Sequence, residues 1–254
     1  TTPISTLTLM SSGSGMSMRP NTWEAENELI RVFIATTPDE ATAKSDLVLE
    51  YTILKHASQP VEITWMRTGD DGWDDWNTDW GGTPKRGRWT MPFGLYRYAI
   101  PELMRFQGRA IYLDSDQMLF DDIAELYNQK LSAPWKCISN DRTDVSVINC
   151  AAFGGASWWP SLAAMKATPE NGVYYRKILK EKGFIDPTLS KEWNSFDGDV
   201  WPCKLLHFTE IDTQPWKPWP TIQYRRHPRP DIVKLWKKTL EAAQQWKSSL
   251  QTKP

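Results

Sequence analysis

The amino-acid sequence predicts an α/β protein: a single domain with a mostly parallel central sheet flanked by helices. Three observations predict it. The chain opens strand, helix, strand: an apolar run at 30–35, an amphipathic stretch at 45–56, and a second apolar run at 61–66. The run Ala110-Ile111-Tyr112-Leu113 is apolar on both faces, as strands inside parallel sheets are. With 254 residues, 40% hydrophobic and 24% charged, the chain is long and apolar enough for one sizeable buried core.

In chain order, residues 1–22 are rich in Ser, Thr and Gly without a period and form a flexible arm. The folded domain takes 23–254. Thr36-Thr37-Pro38-Asp39 is a turn after the first strand, and an amphipathic helix at 45–56 carries Leu47, Val48, Tyr51, Ile53 and Leu54. Residues 69–88 lack any period and, with their glycines, prolines and charges, form a loop. A helix at 94–106 precedes the strand at 110–113, and Asp121-Asp122 caps another through Ile123, Leu126 and Tyr127. Strands follow at 135–139 and 146–153, helices at 158–166 and 173–182, and an extended segment at 201–208. The chain closes on a helix at 231–250, whose Ile232, Leu235, Trp236, Leu240 and Ala243 share one face.

Composition narrows the function classes. Thirty basic and 31 acidic residues leave a formal charge of −1, which excludes an overall pull toward nucleic acid. Cys137, Cys150 and Cys203 are odd in number and widely spaced, as expected of free thiols in a reducing compartment, so a cytoplasmic protein is expected. No apolar run is long enough to span a bilayer. The basic segment 224–229 and Lys234, Lys237, Lys238 and Lys247 leave open a peripheral contact with anionic lipid, against the simpler reading of a solvated helix face.

The chemistry starts at Asp114-Ser115-Asp116. Two carboxylates one residue apart, between a buried strand and a helix, stand where open α/β sheets bind ligands. A divalent cation held there can hold a diphosphate in turn. His207, after the apolar Leu205-Leu206, ends a buried segment in the same way and is the candidate third ligand. Lys217, ten residues on, completes a possible diphosphate clamp. A histidine among the ligands tilts the preference from Mg²⁺ toward Mn²⁺.

GLYRYAIPELMRFQGRAIYLDSD, followed by a short helix and by a late histidine and KPW, resembles the GT-A glycosyltransferases of the glycogenin and lipopolysaccharide-galactosyltransferase type, family 8. The opening VFIATTPDE…LVLEYTILKHASQPVEITWM fits that family's first strand and helix. The resemblance implies a GT-A (Rossmann-like) fold and retaining transfer of a hexose from a nucleotide-sugar, expected to be a UDP-sugar, to a saccharide or other hydroxyl acceptor. It implies that Asp114, Asp116 and His207 bind Mn²⁺ (or Mg²⁺), with Ser115 counted among the nucleotide-sugar contacts. Ala35 and Thr36 match the nucleoside-holding end of the first strand, while Arg97 and Lys217 match cations near the diphosphate or donor sugar. Asn149 in VINCAAF resembles the asparagine of the family's FNAG strand.

The pattern also departs from the family. Nine residues separate His207 from Lys217, and an alternative alignment puts Gln214 at the phosphate. The family's D-Q-D element has no match, which leaves Asn194 and Asp197 as candidates to face the anomeric carbon. Trp73, Trp76 and Trp80, spaced three and four apart among acids, form a candidate acceptor lid; the alternative is a patch that tucks the loop onto the domain. Two other readings compete. A sugar nucleotidyltransferase needs a Gly- and Lys/Arg-rich loop after the first strand, which ATTPDEATAK lacks, and a Trp-rich carbohydrate-binding protein needs neither nucleotide nor metal.

Overall fold

The computed structural model describes residues 29–37, 39–70, 73, 92–167, 172–217 and 222–251, and among them are nine strands and six α-helices. The strands are β1 (Ile30–Thr36), β2 (Val61–Arg67), β3 (Arg109–Asp114), β4 (Gln117–Leu119), β5 (Trp135–Lys136), β6 (Val145–Asn149), β7 (Ile185–Asp186), β8 (Ser195–Phe196) and β9 (Leu205–His207). The helices are α1 (Glu40–His56), α2 (Ile100–Leu103), α3 (Ile123–Tyr127), α4 (Leu162–Ala167), α5 (Gly172–Glu181) and α6 (Pro230–Gln251).

Six strands form the central sheet in the order β2-β1-β3-β6-β5-β7, and only β6 runs against the others. The mostly parallel sheet expected from the sequence is therefore present. Alternation explains why its strands are apolar throughout: Ile30, Val32, Ile34, Ile111 and Leu113 enter the core on one face, and Phe33, Ala35, Ala110 and Tyr112 the core on the other. A second sheet, β4-β9-β8, sits beside the end of β3. α6 packs along α1, with Tyr51 and Trp246 ring centroids 5.8 Å apart, and its Ile232 and Trp236 join Val48, Leu206, Phe208 and Trp216 in a third cluster.

Several boundaries differ from the sequence expectation. α1 starts five residues early because Asp39 in the supposed turn is its N-cap, accepting the Thr42 N–H at 2.7 Å. The helix expected at 94–106 is a 3₁₀ helix at Pro92–Ala99 leading into the short α2. Pro101 has no N–H for the carbonyl of Arg97, so a continuous α-helix cannot pass through it. The strand expected at 146–153 stops at Asn149 and tightens into a 3₁₀ turn at Cys150–Phe153. Cys137, Cys150 and Cys203 are free thiols, the first two buried. The N-terminal arm at 1–22 lies outside the described residues, within which no helix is long and apolar enough to cross a membrane.

The contact between α1 and β1 buries a carboxylate. Asp46 takes a hydrogen bond from Thr36 Oγ1 at 2.8 Å and has Arg67 Nη2 3.5 Å from its other oxygen. Burial outweighs both partners and lifts its pKa to about 7. A carboxyl whose folded pKa lies above its unfolded value stabilises the fold below the unfolded value, and that stabilisation is lost as the pH rises through about 7. Asp46→Asn should therefore raise the melting temperature at pH 8 by a few degrees and change it little at pH 4. A gain of equal size at both pH values, measured by differential scanning calorimetry, would contradict this account of Asp46.

Candidate metal centre

Two strand ends and one ladder converge at the carboxyl edge of the main sheet. β1 and β3 are parallel with Ala35 opposite Asp114, so the end of the first strand lies beside the first acid. Beyond Asp114 the chain turns through Ser115 and Asp116 into β4, whose antiparallel partner is β9. In that ladder Gln117 faces His207, and Phe208 N–H donates to the Asp116 carbonyl at 2.9 Å. A histidine ninety positions beyond Gln117 is thereby set against Asp116.

Asp114, Asp116 and His207 each offer one ligand atom, and these atoms lie within 4.8 Å of one another. Asp116 Oδ1 is buried and accepts no hydrogen bond, although His207 Nε2 is 2.9 Å away. The contact is one of charge without hydrogen-bond alignment, and a cation coordinated by both atoms would satisfy each. The other Asp116 oxygen accepts from Gln214 Nε2 at 3.1 Å, which fixes the carboxylate's rotamer. Two carboxylates and an imidazole could hold a divalent metal ion.

The surroundings set the charges. Arg97, almost wholly buried, donates from Nη2 to Asp114 Oδ1 at 2.9 Å, and the Tyr112 hydroxyl donates to the same oxygen. The guanidinium lies 4.4 Å from the centre of the Tyr112 ring and also reaches Gly94 O and Thr143 Oγ1. Burial works against its charge, but Asp114 and Tyr112 raise its pKa further, so Arg97 stays cationic. Burial also raises the Asp114 pKa, opposed chiefly by Arg97. On the far side of His207, Nδ1 is 2.8 Å from Asn194 Oδ1 and 3.2 Å from Asp144 Oδ2. Asn194 Nδ2 donates to the same Asp144 oxygen at 3.0 Å, and Arg142 grips that carboxylate through Nε and Nη2. Burial pushes against the Asp144 charge, yet His207 and Arg142 hold its pKa well below the usual carboxylate range. With Nδ1–H donated to this pair, Nε2 is the nitrogen turned to Asp116.

Not every expected residue arrives here. Ser115 is buried in the turn between the two acids. Ala35 reaches the site through the end of β1, whereas the Thr36 side chain turns away to Asp46. Gln214 joins the site. Lys217 does not touch the acids; it is exposed, with Nζ 5.7 Å from the Tyr224 ring centre. Asn194 orients His207, while the Asp197 carboxylate is taken by Thr209 Oγ1 at 2.5 Å and His227 Nε2 at 3.2 Å. The expectation for Asn149 is corrected. β6 runs antiparallel to β3 and pairs Asn149 with Arg109, roughly 16 Å along the strand from Asp114. The beginning of β6, with Thr143 and Asp144, stands at the acids instead. Asp144 was legible only as a carboxylate two residues after an arginine at the mouth of a buried strand. Trp73 packs on Tyr96 with centroids 4.7 Å apart and receives its hydroxyl at the backbone carbonyl, as the tucked-loop alternative expects; Trp76 and Trp80 lie outside the described residues.

In the metal-free protein burial disfavours a charged His207, but Asp116 and Asp144 outweigh it and push its pKa up to about 10. A metal must displace that proton. Mn²⁺ titrated by calorimetry at pH 6–9 should release about one proton per ion, with affinity rising about tenfold per pH unit. Asn194→Ala, which removes the nearer of the two partners of Nδ1, should weaken Mn²⁺ binding by about 10- to 100-fold. An affinity independent of pH would remove His207 from the ligand set.

No protein-family profile and no curated protein matches the chain. Solved structures do. The galactosyltransferase LgtC, solved in complex with donor and acceptor sugar analogs, superposes with a TM-score of 0.58 at 12% identity over 84% of this chain and 96% of that one. The glycosyltransferase GlyE of Streptococcus pneumoniae TIGR4 gives 0.57 at 15% identity over 88% of this chain and 64% of that one. The apo structure of the bifunctional glycosyltransferase WbbM gives 0.56 at 13% identity over 84% of this chain. This chain spans about half of WbbM and just under two thirds of GlyE. At such identities the likeness is one of architecture, and the chain has the GT-A glycosyltransferase fold.

Proposed function

We propose that this protein is a metal-dependent glycosyltransferase of the family 8 type, moving a hexose from a UDP-sugar to a saccharide or other hydroxyl acceptor with retention at the anomeric carbon. The observation that carries the reading is the Asp114–Asp116–His207 cluster at the carboxyl edge of a GT-A sheet, beside the end of β1. In this reading a nucleoside would lie at the strand end and its diphosphate at the acids.

In this reading Asp114, Asp116 and His207 would hold Mn²⁺, which would supply charge stabilisation to the departing diphosphate. The bond from the anomeric carbon to the phosphate oxygen breaks, and its electron pair leaves with the nucleoside diphosphate. The acceptor oxygen bonds to that carbon from the same face, and its proton passes to the departing phosphate oxygen. The chain's own groups prepare the site for this. Arg97 balances Asp114, so the acid pair repels an incoming diphosphate less. Gln214 fixes the Asp116 rotamer, and Asn194 with Asp144 keeps the imidazole aimed at the same space.

Calorimetry with UDP in EDTA and in Mn²⁺, followed by a screen of UDP-glucose, UDP-galactose, UDP-GlcNAc and GDP-mannose for nucleotide release, tests the proposal. UDP should bind only with the metal, and one UDP-sugar should be turned over. Asp116→Asn should cut turnover by about 100-fold or more without lowering the melting temperature, since the charge serves the metal and not the core. Equal UDP affinity with and without Mn²⁺ would remove the reading.

A further inference from the structure

The basic segment after the metal centre surrounds a cleft. The space, of about 340 Å³, is lined by Gln214, Lys217, Tyr224, Arg226, His227 and Lys237 among others, where the approach to α6 folds back on the turn after β9. Two of its charged groups are already committed. Arg225 forks onto Asp212 through Nε at 2.6 Å and Nη2 at 3.1 Å. His227 takes the Arg229 N–H at Nδ1 and faces Asp197 through Nε2. Lys217, Arg226 and Lys237 have no carboxylate partner among the described residues. Lys217 is also held in the left-handed region, at φ 53°, a conformation that costs a lysine energy and places its ammonium 5.7 Å from the Tyr224 ring centre.

We propose that this cleft is an anion subsite for a phosphoryl group on the acceptor, so that the preferred acceptor is a phosphorylated saccharide. Three uncompensated cations around one concavity concentrate positive potential there, and an arginine with two lysines matches phosphate oxygens. The Tyr224 ring offers an apolar face to an attached sugar. The space is separate from the place the donor needs. Asp114, Asp116, His207, Arg97 and the end of β1 do not line it; Gln214 alone is shared, lying between the cleft and Asp116. An anion bound here therefore sits one side chain away from the metal centre. Assignment to the acceptor rests on the glycosyl-transfer reading, whereas the anion subsite itself does not.

The probe is glucose 1-phosphate, titrated by calorimetry into the full chain in EDTA and again with Mn²⁺ and UDP present, with maltose as the neutral control. Glucose 1-phosphate should bind in EDTA, maltose should not match it, and Mn²⁺ with UDP should leave that affinity unchanged. Arg226→Ala/Lys237→Ala should weaken it at least about tenfold, and Lys237→Glu more, while Mn²⁺-dependent UDP binding survives in both. Competition between UDP and glucose 1-phosphate, or loss of binding in Asp116→Asn, would place the phosphate in the donor site and overturn the proposal. Binding to phosphatidylcholine vesicles containing phosphatidic acid, with none to soluble glucose 1-phosphate, would overturn it too, since the patch would then serve a membrane surface. Failure of wild-type UDP binding alongside intact phosphate binding would sink the glycosyl-transfer reading and leave the anion subsite standing.

Discussion

The imidazole of His207 is gripped from both sides, by Asp116 at Nε2 and by Asn194 and Asp144 at Nδ1, and the rest of the site depends on that grip. It exists because three residues of β9 pair with three of β4. A ladder this short is marginal alone, but Leu119, Leu205 and Leu206 are fully buried, and the Thr52 hydroxyl oxygen of α1 accepts the Leu119 N–H at 3.2 Å. A slip of one residue would turn His207 to the opposite face and put Leu206 at the acids. Register in a small satellite sheet thus decides whether a ligand set forms at all.

Charge bookkeeping around the histidine explains why the cluster is tolerated in a folded protein. Asp114, Asp116 and Asp144 face Arg97 and Arg142, so a neutral His207 leaves one uncompensated negative charge and a protonated one leaves none. A proton on His207 does the balancing that a bound cation would otherwise supply. Arg97 and Asp144 are buried, hydrogen-bonded and paired, and removing the partner of either costs several kcal/mol because the charge left behind sits in low dielectric, whereas the partly exposed Asp116 and Arg142 keep contact with water. The same arrangement makes the site responsive: a divalent ion replaces one proton and adds a positive charge beside the strand end where a nucleotide can lie.

The central fold was legible because its strands are buried on both faces and so appear as unbroken apolar runs, from Ile30 onward and from Ala110 to Leu113. Asp114, Asp116 and His207 were legible for a related reason: each ends such a run, and polar groups at the ends of buried strands meet at one edge of the sheet. Strand direction was not legible. Asn149 and Asp144 bracket the same strand, and only the reversal of β6 decides that Asp144 comes to the site while Asn149 goes to the far end. Lys217 illustrates a second limit, for local backbone geometry and not spacing turns its side chain toward Tyr224 and away from the acids. The role of Asn194 likewise needed the long-range contact with His207, which a single chain pattern does not encode.

Whether Asp114, Asp116 and His207 close on one metal ion can be seen in a crystal grown with MnCl₂ and measured at the manganese absorption edge. A single strong anomalous peak is expected in contact with oxygens of both aspartates and with Nε2 of His207, the imidazole Nδ1 still on Asn194 and Asp144. A fully loaded crystal whose anomalous density avoids these three side chains, with His207 still paired to Asp116, would contradict it.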